Sequence, residues 1–185
     1  MVRIKIDDRQ FDAGEEQTIL EVALAAGIKI PTLCYHRELT PYGACRVCLV
    51  EITGGAKPGL QAACLYKCTD GLEVKTDTER VRKARRVVLE LLLARSPEAE
   101  KVRSLAKEYG VLGSRFRLES DNCILCGLCV RACAEISRRD AISFSERGPQ
   151  RAVGTPFRKF AARCIGCGAC VYVCPTGTIE IEERD

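Results

Sequence analysis

Twelve of the thirteen cysteines fall into three groups of four: Cys34, Cys45, Cys48 and Cys64; Cys123, Cys126, Cys129 and Cys133; Cys164, Cys167, Cys170 and Cys174. The second and third groups share the spacing C-x2-C-x2-C-x3-C. Short C-x2-C steps curl thiolates onto one inorganic core, and this run is the pattern of bacterial two-cluster iron-sulfur proteins, in which each fourth cysteine serves the other cluster. The rule assigns Cys123, Cys126, Cys129 and Cys174 to one [4Fe-4S] cluster, and Cys164, Cys167, Cys170 and Cys133 to a second. Zinc is the competing reading, but all-cysteine zinc sites pair two separate C-x2-C knuckles rather than three cysteines in succession. Gly127, Gly166 and Gly168 let the backbone approach the cluster closely and turn amides toward its sulfurs. Pro175 follows Cys174 as that pattern expects, whereas Ala134 follows Cys133.

The first group reads C-x10-C-x2-C-x15-C and departs from the plant-type pattern in its first gap, where that pattern has x4. A [2Fe-2S] cluster is the best reading of it, with Cys68, the thirteenth cysteine, competing with Cys64 as the fourth ligand. A Rieske centre needs two histidines on one iron, and His36 is the only one, which leaves it a structural side chain of the cluster loop. No nucleophile, base and orienting acid can be assembled around one histidine, and no Gly-x-Gly-x-x-Gly segment joins a strand to a helix. The chain is therefore expected to have no catalytic site of its own.

The elements that carry these cysteines are partly legible. Val2-Arg3-Ile4-Lys5-Ile6 alternates and meets an Asp7-Asp8 turn, which predicts a strand and hairpin. Thr18 caps a helix with Glu21 three residues on, and Gly27 stops it. Val47 to Ile52, closed by Gly54-Gly55, reads as a buried strand, and Leu72 to Lys75 as a short final one. Residues 78–95 form a helix with Val81, Ala84, Val88, Leu91 and Leu92 on one face and Arg82, Lys83, Arg85 and Arg86 mainly elsewhere, as a solvated or subunit-facing surface. A second helix runs from Pro97 to Tyr109, with Gly110 as its stop. In the C-terminal repeat, Ala141 to Phe144 and Thr178 to Ile181 occupy matching places and read as strands, two pseudo-equivalent halves around one small core. The expected division is residues 1–77, a helical connector at 78–118, and 119–185.

Composition narrows the setting. Net charge is +4, from 29 basic against 25 acidic residues, and the basic run in the connector lacks neighbouring aromatics, so no nucleic-acid role is expected. No apolar run reaches membrane-spanning length and the charged first ten residues do not form a signal peptide, so a cytoplasmic chain without a transmembrane segment is expected. Reduced thiols at close spacing there read as metal ligands.

The chain resembles the iron-sulfur subunits of NADH-linked hydrogenases and of respiratory complex I. The resemblance rests on Pro31-Thr32-Leu33-Cys34-Tyr35-His36, Gly43-Ala44-Cys45-Arg46-Val47-Cys48-Leu49-Val50-Glu51, Ala62-Ala63-Cys64 and Gly71-Leu72-Glu73-Val74-Lys75-Thr76. It continues through Val81 to Arg86, Leu91-Leu92-Leu93 and both C-terminal motifs. It implies an α+β protein: an N-terminal β-grasp [2Fe-2S] ferredoxin domain, a helical connector and a C-terminal two-[4Fe-4S] ferredoxin-like domain. It favours Cys64 over Cys68, because Cys64 holds the family's Ala-Ala-Cys place. Members usually carry a His and three cysteines for a further [4Fe-4S] cluster after the leucine-rich helix, whereas Ala94 to Gly110 contains neither residue type. The resemblance thus implies three centres, one [2Fe-2S] and two [4Fe-4S]. They would carry electrons between a flavin/NAD(P)H-binding subunit and a hydrogenase or formate dehydrogenase subunit, or a soluble ferredoxin, in a hetero-oligomer similar to electron-bifurcating complexes.

Overall fold

The computed structural model describes residues 1–119 and 121–181. Its N-terminal part is a five-stranded sheet: β1 (Val2–Ile6), β2 (Arg9–Ala13), β3 (Leu49–Gly54), β4 (Gly59–Ala62) and β5 (Glu73–Lys75), in the order β2-β1-β5-β3-β4. β1 runs parallel to β5 and every other pairing is antiparallel. With α1 (Ile19–Ala25) packed on this mixed sheet, the arrangement is a β-grasp in an α+β chain.

Local chemistry explains the elements. Asp7 and Asp8 both take positive φ, the geometry of a tight primed hairpin turn, and so set the β1–β2 register. Thr18 and Glu21 form a reciprocal capping box at the start of α1, and Gly27 follows its end at φ 70°. Ile4, Ile6, Ile19, Leu20, Val50, Ile52, Leu72 and Val74 bury the space between helix and sheet. The pairing of β4 with β3 has no clear sequence signal, since Lys57-Pro58-Gly59 reads as turn and the strand is four residues long.

α2 (Glu79–Arg95) is capped by the Thr78 hydroxyl and ends at Ser96, just before Pro97. α3 (Glu100–Glu108) begins three residues after Pro97, so the proline lies outside the helix instead of in its first turn. These helices are not a spacer. Leu89, Leu93, Ala99, Val102 and Ala106 share a second core with Leu33, Cys34, Leu39, Cys45 and Val47 on one side and Ile124, Cys126, Leu128 and Ala132 on the other. Arg85 corrects the expectation of a solvated basic face. It is 2% exposed, donates to the Leu49 carbonyl (2.6 Å) and the Tyr109 hydroxyl (2.9 Å), and so ties α2 to both β3 and α3. Arg82 pairs with Asp77 and Arg86 donates to the Tyr109 carbonyl.

The C-terminal part contains α4 (Leu128–Arg131), continued by a π-turn over Ala132–Ile136, a two-stranded ribbon of β6 (Ser143–Ser145) and β7 (Ala152–Gly154), and α5 (Ala169–Tyr172). Ser143 and Phe144 lie in a strand as expected. Thr178 to Ile181 do not, because the ribbon partner of β6 is β7. Nor are the two halves equivalent in packing: the first motif contributes Ile124, Cys126, Leu128, Cys129 and Ala132 to buried positions, while α5 buries none. Among the described residues, no helix is long and apolar enough to cross a membrane.

Candidate metal centres

The first cysteine group is built by loops anchored on the sheet. Cys34, Cys45 and Cys48 lie on the long irregular segment between α1 and β3, and Cys64 follows β4. Hydrogen bonds from Ala63 N to Cys48 O and from Leu20 N to Ala63 O lock the Cys64 turn onto both the cysteine loop and the start of α1. All four thiols are buried. They form two coupled pairs, Cys34 with Cys45 and Cys48 with Cys64. The neighbouring Cys45 thiol, then backbone amides, bring Cys34 down to about 6, while Cys45, as the donor, is raised. The Cys64 thiol likewise lowers Cys48 to about 7 and is itself raised. A buried site holding two thiolate-prone sulfurs and amides aimed at sulfur, as Cys45 N is at Cys34 Sγ (3.4 Å), fits a thiolate-bound cluster. Cys68 is buried in the sheet core, and burial pushes its thiol up to about 11. His36 accepts from the Glu38 amide through Nδ1, a loop-shaping contact.

The second site is a cavity of about 160 Å³ lined by Cys123, Cys126, Cys129 and Cys174, together with Ile124, Gly127, Val153, Thr176, Thr178 and Ile179. The structure thus brings the last cysteine of the second motif to the first three of the first motif. Gly127 takes φ 71° where the loop turns into α4, and a Cβ there would stand 3.0 Å from the Phe144 ring. Burial pushes Cys126 up to about 11 and Cys129 to about 12. Burial also works to raise Cys174, but the Thr176 and Thr178 hydroxyls and amides outweigh it and hold the thiol below its ordinary value. A pocket walled by four sulfurs, with Ile124, Val153 and Ile179 beside them, Asp121 at its edge and the Thr176 and Thr178 hydroxyls on Cys174, suits a cubane held by thiolates.

The third set is open. Cys164 and Cys167 are exposed, and Cys133 and Cys170 are half-buried. Burial raises the Cys170 thiol, and Cys133 and Cys167 both lie close enough to it to raise it further. Ser137, from the first motif's π-turn, sits 3.1 Å from Cys167 Sγ and lowers that thiol, and the Ala141 amide points at Cys133 Sγ (3.2 Å). Cys164 stands at the exposed start of the same loop. Close to these cysteines in the chain, Phe157 is 93% and Tyr172 85% exposed, with Ile136, Phe160 and Ile165 also more than half exposed.

Sequence reading missed several contributors to these sites. Thr176 and Thr178 flank Cys174 closely enough to have been found. Arg131 and Glu135 were not legible, because they act on Thr40 and Cys34, more than ninety residues away in the chain.

Comparison with known proteins matches the same two regions. Residues 1–79 fit the model of a 2Fe-2S iron-sulfur cluster binding domain, and residues 122–178 that of a 4Fe-4S dicluster domain. The alpha subunit of NADPH-Fe(3+) oxidoreductase from Geobacter sulfurreducens is 34% identical over 204 residues, covering 97% of this chain and 24% of its own length. A subunit of NADH-quinone oxidoreductase from Rhizobium meliloti is 34% identical over 83% of this chain and 21% of its own length. The chain therefore spans about a quarter or less of these relatives. The alignment to the Geobacter protein is longer than the 185-residue chain, so that relative has residues within the matched region that this chain lacks. Among solved structures, a chain of the NAD+-reducing [NiFe]-hydrogenase in the H2-reduced state superposes with a TM-score of 0.82 at 30% identity. The match covers 95% of this chain and 85% of that one.

Proposed function

Because the chain belongs to the iron-sulfur family shared by NAD+-reducing [NiFe]-hydrogenase and NADH-quinone oxidoreductase, we propose that it is the electron-transfer subunit of an NAD(P)H-linked oxidoreductase complex. Cys34, Cys45, Cys48 and Cys64 hold one [2Fe-2S] cluster. Cys123, Cys126, Cys129 and Cys174 hold a [4Fe-4S] cluster, and Cys164, Cys167, Cys170 and Cys133 hold a second. When bound, these clusters supply one-electron redox chemistry. The protein's residues position and insulate them: the two hydrophobic cores bury Cys34, Cys45, Cys48, Cys64 and Cys126, and the exposed third site offers an end of the relay to a partner. The observation that carries this reading is the cavity in which Cys174 joins Cys123, Cys126 and Cys129, as in the crossed pairing of the bacterial two-cluster pattern.

One end of the relay faces a flavin-bearing subunit that oxidises NADH or NADPH, and the other a hydrogenase or formate dehydrogenase subunit or a soluble ferredoxin, in the cytoplasm. A freely diffusing carrier is the alternative, and the exposed Phe157, Tyr172 and Ile165 favour a docked subunit over it, since large apolar side chains left in water gain from being covered by a partner. Anaerobic purification of the tagged chain from its host, with partner identification and iron counting, tests the proposal. Co-purification of a flavin subunit together with about ten irons per copy supports it. Recovery of the chain alone with the same iron would establish the carrier instead.

A further inference from the structure

The second cysteine motif holds an arginine whose side chain leaves its own loop and reaches the first cluster site. Arg131, at the end of α4 between Cys129 and Cys133, donates from Nη2 to the Cys34 carbonyl (2.8 Å) and from Nη1 to the Thr40 carbonyl. Glu135, one turn further along, accepts from the Thr40 amide (2.8 Å), so the two side chains grip both faces of one residue in the cysteine loop. The guanidinium also lies over Tyr42 (5.8 Å), which stacks on Phe144, and Arg151 covers the other end of that pair at 4.1 Å while donating to the Tyr42 hydroxyl. The Arg131 Nε is buried without a hydrogen-bond partner, and the Glu135 carboxylate beside it is taken up by the Thr40 amide. A part-buried charge bonded to the carbonyl of a cluster ligand acts directly on that site's electrostatics.

We propose that Arg131 is a positioning residue that clamps the Cys34 loop against the first C-terminal site and, through its positive charge, raises the reduction potential of the cluster held by Cys34, Cys45, Cys48 and Cys64. This rests on the assignment of a [2Fe-2S] cluster to those residues. Reduction adds negative charge, which a nearby cation stabilises, so removing the cation lowers the potential.

The test is an EPR-monitored redox titration of the full cluster-loaded protein and its Arg131→Gln and Arg131→Lys variants. Arg131→Gln is expected to lower the [2Fe-2S] midpoint by about tenfold in the reduction equilibrium, 59 mV for a one-electron couple, and by more than either [4Fe-4S] midpoint moves. Arg131→Lys, which keeps the charge, restores most of it. An unchanged midpoint in Arg131→Gln overturns the proposal. Absence of any [2Fe-2S] signal from the wild-type protein overturns the cluster assignment itself and the proposal with it. Should Arg131→Gln not load its clusters, Glu135→Gln keeps the acceptor for Thr40 while removing a negative charge. It must then shift the midpoint upward, and an unchanged or lowered value sinks the idea.

Discussion

The two copies of the C-x2-C-x2-C-x3-C motif are nearly the same in sequence and opposite in setting. The first is pressed between the connector helices and the N-terminal cysteine loop, with Ile124, Cys126, Leu128, Cys129 and Ala132 all buried. The second stands at the surface with Cys164 and Cys167 exposed, as are Phe157, Phe160, Ile165 and Tyr172 nearby in the chain. Motif spacing encodes the shape of a cluster loop; it says nothing of what the rest of the chain packs against that loop. Here the first copy is where the two cysteine-bearing regions are joined, and the second is left exposed.

The strongest way to break this contrast is to cut the crossed pairing. Cys174→Ala is expected to empty the enclosed site although Cys174 belongs to the exposed motif, and Cys133→Ala the open one. Each should lose about four irons per chain. Alkylation followed by peptide mapping distinguishes them: in Cys174→Ala the protected Cys126 and Cys129 become reactive while Cys164 and Cys167 stay blocked. The reverse result would mean that each motif serves its own cluster.

Packing gives the next largest effect. Leu89 is fully buried at the centre of the joining core, so Leu89→Ala should cost about 2–5 kcal/mol and lower the denaturant midpoint followed by cluster bleaching. Phe157→Ala, at a site 93% exposed, should leave stability within about 0.5 kcal/mol but weaken capture of the partner complex. Equal destabilisation by both would erase the distinction between a joined and an open half.

Glycines sharpen it further. Gly127 and Gly166 both take positive φ, and conversion of either to alanine costs about 1–2 kcal/mol. Only at Gly127 would the new Cβ meet a neighbour, the Phe144 ring at 3.0 Å, whereas nothing lies within 4 Å at Gly166. Gly127→Ala should therefore be worse by about 1 kcal/mol, measured as the difference in unfolding midpoints.

What the sequence makes legible is what depends on short stretches of chain. The cysteine spacing, the Thr18–Glu21 capping box, the Asp7-Asp8 hairpin and the stop at Pro97 are local chemistry, and each left its mark within a few residues. The structure's less legible features depend on distant partners. Arg85 looks like one more surface charge in Val81 to Arg86 until β3 and Tyr109 close over it. The connector looks like a spacer until Leu89 and Val102 meet Val47 and Leu128. Thr178 to Ile181 resembles a strand by analogy with Ser143 and Phe144, but the analogy assumes equivalent halves, and only one half has β7 to pair with.

The smallest effect concerns the buried thiol outside all three groups. Burial raises Cys68 from an ordinary 9.0 to about 11 in the folded protein. A group whose folded pKa lies above its unfolded value binds its proton more firmly in the native state. The stability this confers is complete below about pH 9 and disappears as pH rises through about 11. Alkaline unfolding of the cluster-loaded protein should therefore steepen in that window, and Cys68→Ala should flatten it by about 1–2 kcal/mol while leaving the iron content unchanged. Loss of iron in Cys68→Ala would instead make Cys68 the fourth ligand of the N-terminal site in place of Cys64, and with it move the insulated end of the relay from the cysteine loop into the sheet core.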